Sequence, residues 1–554
     1  MKSLPFLLVS GVALLHGCDN RVPVVAQPES LSDTAPPVIS HVILNRNPNP
    51  TVPLAAILSL ATDEPTEVTI RIDDGERSWD ATSSEDYAQE HSLMVLGMRP
   101  GRVHQISAVV TDRAGNATET PRLAMEMPPL PADLAQPELI SRSPDLMEPG
   151  VTMFNIFALD TEAMGVEGFG GVLYIVDDQG EVIWYYRTGL DLGDARRLSN
   201  GNLIFSAAFD GVVAEIDMLG NTVQQWYATG TTKEPPEGSI PVAVDSLHHE
   251  VSELPSGNLL ALSSELRVME DFPTSDSDAD APRATASVVG DVIVEFARDG
   301  TVVREWSLLD RLDPYRIGYG SLEDGYWTTR YESSEDAPIR DWSHSNALIF
   351  DPSDESYIVS VRHQDTVIKV DRDTGELVWM LGAPDNWGEP WSSSRLQPVG
   401  ELQWQNHEHG PSLTGDGTIV MFDNGNFRAA AYQEQLPLAE RYSRAVEFSV
   451  DRDSMQVEQV WSYGGPGSEH FYSSYISDVD WLPATGNLLI TDGGRATDAD
   501  GANAENVEGT NYWARIIEVT HTQPAEKVFE LHVKEGGGDR WHMYRAQRLP
   551  SLYP

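Results

Sequence analysis

Three histidines occupy similar places in a repeated sequence pattern, and their chemistry is the first clue to function. His249 lies eight residues before a turn glycine, Gly257, and His409 lies eight residues before Gly417. His344 precedes the equivalent strand of the unit between them. An imidazole can exchange protons near neutral pH and can act as a nucleophile. Equal places in three successive units predict that these side chains converge.

Two other residues could join this histidine cluster. Arg362 is expected at the end of the strand beside the one that follows His344, and a guanidinium can bind two oxygens of a tetrahedral anion. Asn346 shares strand parity with His344, so both side chains are expected on the same side of the strand. In a chain with a formal net charge of −49, the alternative for Arg362 is a surface salt bridge.

Three kinds of function fit histidines grouped around an arginine. The first is sulfuryl or phosphoryl transfer through a covalent histidine intermediate. The second is a zinc, copper or iron site. The third is a non-catalytic domain that binds a ligand or a partner protein. The sequence has no glycine-rich phosphate loop, so a nucleotide donor is not indicated.

The strands that must carry these residues come from an internal repeat. Each unit begins with an apolar strand after a turn glycine or aspartate and ends with a strand that contains an aromatic residue, usually Trp. Units of about four strands are typical of propeller blades. The aromatic residues that end the units are Trp226, Trp306, Trp379, Trp461 and Phe529. The sequence therefore predicts an all-β fold with a six-bladed β-propeller over residues 138–554.

The sixth blade requires both ends of the repeat region. Val172 to Tyr186 supplies outer strands without inner ones, and the segment from Tyr544 to Tyr553 begins a unit and stops. Together they would form one blade and close the ring, which would protect the sheet edges.

A second β-rich module precedes the repeats. Short strand-like segments separated by turns run from residue 36 to about residue 130, and the turn from Val109 to Asn116 is typical of late strands in fibronectin type III-like sandwiches. We therefore predict a small immunoglobulin- or fibronectin type III-like β-sandwich over residues 36–130.

The composition and the N-terminal residues bear on the partners of the protein and its place in the cell. The strong negative charge disfavours nucleic acid and anionic lipid as direct partners. Residues 1–17 resemble a signal peptide that ends in a lipobox, and Cys18 is the single cysteine of the chain. We predict lipidation of Cys18, a flexible tether over residues 18–35, and a periplasmic protein anchored to a bacterial membrane, with inner or outer membrane undecided.

Several motifs together resemble one known family, the nucleotide-independent bacterial arylsulfate sulfotransferases. They are His248-His249-Glu250, Asp341-Trp342-Ser343-His344-Ser345-Asn346, Ser360-Val361-Arg362-His363-Gln364, His409 with Phe422-Asp423-Asn424-Gly425, and Tyr544-Arg545-Ala546. The resemblance implies transfer of a sulfuryl group from a phenolic sulfate ester to a phenol, by a ping-pong mechanism through a sulfohistidine. It implies no cofactor or metal, and we consider a homodimer possible.

The resemblance also implies roles for individual residues. His409 would be the nucleophile, and His249, His344 and Arg362 would bind the sulfuryl oxygens and assist proton transfer. His407 is a rival nucleophile, because it shares strand parity with His409. The predicted substrate ligands are Asn346, His248, His407, Asn424, Tyr544 and Arg545. At position 408 the resemblance leads us to expect glutamine, but the chain has Glu408.

Overall fold

The computed structural model describes residues 33–158, 171–187, 190, 192–323, 325–467, 469–505, 510–534 and 541–553. Cys18 and the predicted signal peptide lie outside the described residues, so the lipid anchor and the location of the protein stay predictions. Apart from five short 3-10 turns, the regular structure of these ranges consists of β-strands, which confirms the all-β prediction. Within them, no helix has the length and apolar character needed to cross a membrane.

The first six strands form one hydrogen-bonded unit. In it β1, β2, β4 and β5 follow in that order, while β3 pairs with β2 and β6 pairs with β4. Alternate residues of β2 and β4, among them Val68, Ile70 and Val110, are fully buried, as the two-residue period of a strand with one buried face requires. The strands are β1 (Ile39–Arg46), β2 (Ala56–Asp73), β3 (Ser78–Val95), β4 (Val103–Asp112), β5 (Ala117–Glu119) and β6 (Leu123–Glu126).

The remaining described strands form six further sheets of four or five strands. β7 (Pro137–Arg142) belongs to the sixth of these sheets. The first sheet includes β8 (Val151–Ala158), β9 (Val172–Val176) and β10 (Val182–Arg187). The second contains β11 (Ala195–Arg197), β12 (Leu203–Ala207), β13 (Val212–Ile216), β14 (Thr222–Ala228) and β15 (Ile240–Val242). The third and fourth sheets contain β16 (His248–Glu253), β17 (Leu259–Phe272), β18 (Ala284–Phe296), β19 (Val302–Ser307), β20 (Ile339–Asp341), β21 (Ser345–Asp351), β22 (Ser356–Val361), β23 (Thr366–Asp371) and β24 (Leu377–Gly382).

The last part of the chain supplies the fifth and sixth sheets and the remaining strands of the first. Its strands are β25 (Gln397–Pro398), β26 (His409–Leu413), β27 (Ile419–Asp423), β28 (Arg444–Asp451), β29 (Gln456–Gly464), β30 (Asp478–Trp481), β31 (Leu488–Thr497), β32 (Asn511–Val519), β33 (Lys527–Val533), β34 (Trp541–His542) and β35 (Ala546–Leu549). The 3-10 turns cover Leu308–Asp310, Trp327–Thr329, Arg362–Gln364, Trp391–Ser394 and Leu438–Glu440. Six successive sheets are what a six-bladed propeller would contain, and the number of blades stays a prediction that they support.

Both ends of the repeat region meet in one sheet, as expected. β35 pairs with β8 in an antiparallel register that places Ala546 opposite Phe154, and β8 continues to β9 and β10. A second junction was not expected from the sequence: β7 pairs with β33 and extends the sixth sheet. Two separate ladders therefore tie the start of this region to its end.

The repeated tryptophans connect neighbouring sheets through their indole nitrogens. Trp184 donates to the carbonyl oxygen of Met218 at 2.9 Å, and Trp226 donates to that of Arg298 at 2.9 Å. Equivalent bonds run from the indoles of Trp306 and Trp461 to turns of the next sheets. A buried indole needs a partner for its N–H, and the turn carbonyl of the neighbouring sheet supplies it.

In the second to sixth sheets, one strand of each sheet lies beside a strand of the next. β12 contacts β16, β16 contacts β21, β21 contacts β26, and β26 contacts β30. The ends of these strands therefore meet, and they bring the predicted site residues together.

Candidate active site

Three histidines at the entrances of these strands have backbone conformations that are rare for residues with a side chain. The φ angles are 54° for His249, 46° for His344 and 55° for His407. Each such residue costs on the order of 1–3 kcal/mol and persists where the surrounding structure enforces it. Clustering of such residues is a common property of active sites, and it supports a functional role for this region.

The predicted equal register of His249 and His409 is wrong. His409 pairs with Phe422, whereas the residue that pairs with the corresponding position, Leu262, is His248. The bulge in β16 contains one residue more than the bulge in β26, so counting from the turn glycine misplaces His249 by one position. The side chains nevertheless converge, because each bulge turns its histidine toward the neighbouring sheet.

Four imidazoles form a continuous row, which we call the histidine row. Their ring centroids are separated by 5.2 Å between His249 and His344, by 4.7 Å between His344 and His363, and by 5.6 Å between His363 and His407. Arg362 lies beside the row, with Nη1 2.7 Å from Nε2 of His363. The structure thus brings together three of the four predicted catalytic residues and adds His363.

Arg362 is half-buried and only partly paired by hydrogen bonds. It is the first residue of the 3-10 turn after β22 rather than the last residue of the strand. Its Nη2 donates to the carbonyl oxygen of Ser474 at 3.3 Å, and its Nε has no hydrogen-bond partner among the described residues. Burial lowers the pKa of Arg362, but a guanidinium remains a cation in proteins. An incompletely paired, half-buried cation is suited to an anionic ligand.

The imidazoles around this cation favour the neutral form. The pKa values of His249, His344, His363 and His409 all lie well below the usual 6.5. Burial is the main cause for each, because it disfavours the charged form, and neighbouring positive charges add to the effect. At neutral pH these side chains therefore have a lone pair available for nucleophilic attack or for proton uptake.

His409 has a defined tautomer. Its Nδ1 lies 2.7 Å from Oδ1 of Asn424 and 3.1 Å from the carbonyl oxygen of His407, so Nδ1 carries the hydrogen. Its Nε2 accepts the N–H of Ile476 at 3.1 Å, which places the lone pair on Nε2. An attack from Nε2 must displace this hydrogen bond. The charge of Arg362 is the second cause, after burial, of the low pKa of His409.

Asn424 positions His409. Its Oδ1 accepts from His409, and its Nδ2 donates to the carbonyl oxygens of Ser473 at 2.8 Å and Ile476 at 3.1 Å. All its polar side-chain atoms are engaged within the protein. These contacts fix the orientation of the imidazole, and the role of Asn424 as a substrate ligand stays a prediction.

Arg545 and Tyr544 also support their neighbours. The guanidinium of Arg545 lies 3.3 Å from Asp194 and 3.0 Å from Glu250, and it donates to the carbonyl oxygen of Asn346 at 2.9 Å. The hydroxyl of Tyr544 donates to the same carbonyl at 3.1 Å. Because carboxylates neutralise Arg545, it is poorly placed to bind an anionic substrate.

One side-chain atom of Asn346, its Oδ1, is available to bind a ligand. Its Nδ2 donates to the carbonyl oxygen of Glu408 at 2.8 Å, while its buried Oδ1 has no partner among the described residues. A buried acceptor without a partner is costly unless a ligand supplies a donor. The predicted role of Asn346 as a substrate ligand fits this geometry.

His248 lies behind His249. It is 2% exposed, and its Nε2 lies 3.0 Å from the carbonyl oxygen of Ser263 and 3.3 Å from a carboxylate oxygen of Asp291. Its Nδ1 lies 2.7 Å from Nδ1 of His249. Both ring nitrogens thus contact protein groups, and the role of His248 as a direct substrate ligand stays a prediction.

His407 is the rival nucleophile at the far end of the histidine row. Its backbone N and its Nδ1 lie 2.8 Å and 2.9 Å from Oδ1 of Asp365. Its Nε2 is buried without a hydrogen-bond partner among the described residues and faces the backbone of Gly320. A carboxylate that orients an imidazole is common in catalytic dyads, so the contacts of His407 do not by themselves remove it as a candidate.

Glu408 is completely buried between the two histidines. Its Oε1 lies 3.4 Å from the hydroxyl of Ser360, and its Oε2 has no partner among the described residues. Burial, together with the charges of Asp365 and Asp423, raises its pKa well above 4.5. A protonated Glu408 has nearly the shape and polarity of the glutamine that the family resemblance led us to expect.

Replacing Glu408 with glutamine should therefore stabilise the protein as the pH rises. The raised pKa means that the stability from neutral Glu408 is complete below its usual value of 4.5 and is lost as the pH rises toward the folded-state value. The advantage of Glu408→Gln should grow by up to about 1.4 kcal/mol per pH unit in that window. Urea unfolding at mildly acidic and mildly alkaline pH measures it.

An exposed control, Glu335→Gln, should leave the pH dependence of unfolding unchanged. If Glu408→Gln changes the free energy of unfolding equally at both pH values, Glu408 is already ionised in the folded protein.

Sequence reasoning missed the carboxylates that hold the histidines. They are Asp291, Asp341 and Asp365, which contact His248, His344 and His407 respectively. Asp341 belongs to one of the motifs that carry the family resemblance. Asp291 lies two strands away from His248 in the same sheet, and Asp365 precedes a strand of a different sheet from that of His407. Tyr326, which the sequence could not place, lies 5.2 Å from His249 and 5.0 Å from His344 between ring centroids.

Asp341, His344 and His363 are close enough to hold a metal ion, since their candidate ligand atoms lie within 4.8 Å of one another. Their hydrogen bonds argue against it. Nε2 of His363 faces the cationic Arg362, its Nδ1 lies 2.6 Å from the carbonyl oxygen of Asp341, and Asp341 also accepts from Trp327 at 2.8 Å. These residues do not fit a metal, because ligand lone pairs are already in use.

The fold and the site define a class: all-β proteins with neutral histidines grouped around a half-buried arginine. The chain belongs to the arylsulfotransferase family. The sequence model described as "Arylsulfotransferase (ASST)" matches residues 141–545, and that of the "Arylsulfotransferase Ig-like domain" matches residues 43–128. The predicted family and the immunoglobulin-like fold of the N-terminal domain are thereby confirmed.

Two curated relatives carry the name arylsulfate sulfotransferase AssT. The protein of Escherichia coli O6:H1 is 27% identical over 368 residues, which cover 58% of this chain and 57% of that protein. The protein of Lelliottia amnigena is 28% identical over 229 residues, which cover 35% and 38%. The matched region thus spans about half or less of these relatives.

Among solved structures, the periplasmic gluconolactonase PpgL of Pseudomonas aeruginosa is similar over 71% of this chain and 99% of its own length. The sequence identity is 11% and the TM-score is 0.34. A likeness at this level carries no argument about fold or function.

Proposed function

We propose that this protein transfers a sulfuryl group from a phenolic sulfate ester to a phenol, through a covalent histidine intermediate. The observation that carries the proposal is the half-buried guanidinium of Arg362, whose buried Nε is unpartnered among the described residues, beside neutral imidazoles. A sulfuryl group presents several negative oxygens to such a site, and a preorganised cation stabilises the charge that develops on them. Family membership agrees with this reaction class.

In the first half-reaction, Nε2 of His409 attacks the sulfur atom of the donor. The N–S bond forms while the bond between sulfur and the phenolic oxygen breaks, and that oxygen leaves with the bonding electron pair. Arg362 binds the sulfuryl oxygens, and a proton reaches the leaving phenolate through His249, which is neutral before and after the step. The Nδ1 hydrogen of His409 stays with Asn424 throughout.

In the second half-reaction, the oxygen of the acceptor phenol attacks the same sulfur atom. The phenol gives its proton to His249, the N–S bond breaks, and His409 regains the Nε2 lone pair. The two halves use the same residues in opposite order, so the enzyme ends as it began.

The proposal is tested by incubating the purified protein with an aryl sulfate donor alone and then with a phenol. Mass spectrometry after the first step should find a sulfuryl adduct on one histidine, and the phenol should remove it. The absence of both adduct and donor turnover would sink the proposal. If the purified protein then also holds a stoichiometric metal ion, the alternative of a metal- or ligand-binding protein is favoured instead.

A further inference from the structure

His248 is a buried histidine that the proposed reaction does not use directly. Its Nε2 lies 3.0 Å from one acceptor, the carbonyl oxygen of Ser263, and 3.3 Å from another, Oδ1 of Asp291, which makes no hydrogen bond among the described residues. Since neither acceptor can donate, Nε2 of His248 must carry a hydrogen. The state of its other nitrogen then depends on what lies opposite.

The nitrogen opposite is Nδ1 of His249, at 2.7 Å from Nδ1 of His248. Two nitrogens at this distance must share one hydrogen, because two lone pairs or two N–H groups would repel each other. Only two arrangements remain. Either neutral His248 accepts from His249, or cationic His248 donates to it.

Asp291 decides between the two arrangements. It is completely buried, and its second carboxylate oxygen accepts from the hydroxyl of Ser343 at 2.7 Å and from the backbone N of Ser345. Burial alone would raise the pKa of Asp291, but its interactions with His248 and these donors outweigh that effect and hold it below the usual value. A buried anion at this distance favours a positive charge on His248.

The groups around His249 oppose a charge on that ring instead. Besides His248, the groups that act on it are His344, His409 and Arg545, and all of them lower its pKa further after burial. Tyr326 packs against the same ring, with its hydroxyl 3.5 Å from Nδ1. His249 is therefore held neutral, with its hydrogen on Nε2, the nitrogen that does not face His248.

We propose that Asp291 and His248 form a proton relay behind His249, which supplies and stores the proton that sulfuryl transfer requires. This inference deepens the proposed function and rests on it. Asp291 and His248 touch no substrate, so both are positioning residues that act through His249.

The relay conserves atoms and charge. As the bond between sulfur and oxygen breaks, Nε2–H of His249 passes to the leaving phenolate, and Nδ1–H of His248 moves to Nδ1 of His249. His248 is left neutral with its hydrogen on Nε2, still facing Ser263 and Asp291. When the acceptor phenol reacts, its proton goes to Nε2 of His249, and the Nδ1 proton returns to His248.

Two donors with different leaving groups test the relay. Para-nitrophenolate is a stable anion that needs little help from a proton donor, whereas unsubstituted phenolate needs it. In Asp291→Asn and His248→Gln proteins, cleavage of phenyl sulfate should fall about a hundredfold, the lower end of a general-acid contribution. Cleavage of para-nitrophenyl sulfate should fall less than about tenfold, since general-acid help varies with leaving-group basicity. His91→Gln, a buried histidine of the immunoglobulin-like domain, should change neither rate.

The outcomes distinguish a failure of the proposed relay from a failure of the proposed sulfuryl transfer. Equal losses for both donors would mean that Asp291 and His248 are merely structural, and no loss would mean that no relay exists; either result overturns the inference. Failure of the unsubstituted protein to cleave either donor would instead contradict the proposed function.

A measurement on the unsubstituted protein covers the case in which the variants do not fold. Nitrogen NMR of labelled histidines should show both nitrogens of His248 protonated and His249 protonated on Nε2. A neutral His248 that accepts from Nδ1–H of His249 would overturn the relay.

Discussion

Replacing His409 with alanine should abolish cleavage of an aryl sulfate donor, with a loss of several orders of magnitude in rate. The covalent route disappears with the imidazole, and no other group of the site has a lone pair fixed by Asn424 beside Arg362. The burst of phenol from a single turnover, recorded after rapid mixing with the donor, measures the loss. The sulfuryl adduct on the protein should vanish in the same variant.

His407→Ala is the matched control, because His407 precedes the same strand and is equally buried. Nε2 of His407 faces the Gly320 backbone, and its ring lies beyond His363 in the histidine row. We therefore expect a smaller loss from this variant, through weaker support of its neighbours. If His407→Ala is the inactive protein and carries no adduct while His409→Ala still forms one, the assignment of the nucleophile is wrong.

Replacing Arg362 with glutamine should lower kcat/KM for the donor about a hundredfold to a thousandfold. That is the range found when one preorganised donor to a developing negative charge is removed. Arg362→Lys should give an intermediate loss, because an ammonium keeps the charge but lacks the planar pair of donors and the bond to His363. Steady-state kinetics with varied donor concentration measures both variants.

Arg298→Gln provides a comparison for the loss of an arginine that pairs with carboxylates outside the site. Arg298 contacts Glu215 and Glu253. It follows β18 at the end of the third sheet where Glu253 pairs with Leu259, and His248 lies toward the opposite end of that sheet. Its loss should leave the donor kinetics unchanged. An Arg362→Gln protein that folds and retains the full kcat/KM would remove Arg362 from the sulfuryl site.

The net charge of −49 makes the local arrangement of cations important. A surface this acidic repels an anionic donor at a distance. Attraction must therefore come from the site itself, where Arg362 is a half-buried cation with no carboxylate paired to it among the described residues. Arg545, by contrast, is held by Asp194 and Glu250. The two arginines are equally prominent in the sequence, and only their partners distinguish them.

The sequence by itself determined the β-rich repeat, the pairing of its two ends in one sheet and the types of residue at the site. These features depend on local signals: turn glycines, alternating apolar residues and tryptophans at fixed places. They also survive small errors of register, because a strand that shifts by one residue is still a strand. Short motifs are also local in sequence, so the family resemblance could be recognised from them.

Only the tertiary structure decided which residues face the site and which stand behind it. A bulge with one extra residue made His248, not His249, the ladder equivalent of His409, and bulges leave no trace in the spacing of apolar residues. Asn424 and Arg545 contact partners that are distant in sequence: His409, Ser473 and Ile476 for Asn424, and Asp194 and Glu250 for Arg545. The carboxylates Asp291 and Asp365 were invisible for the same reason: a hydrogen bond depends on distance in space, which sequence separation does not reveal.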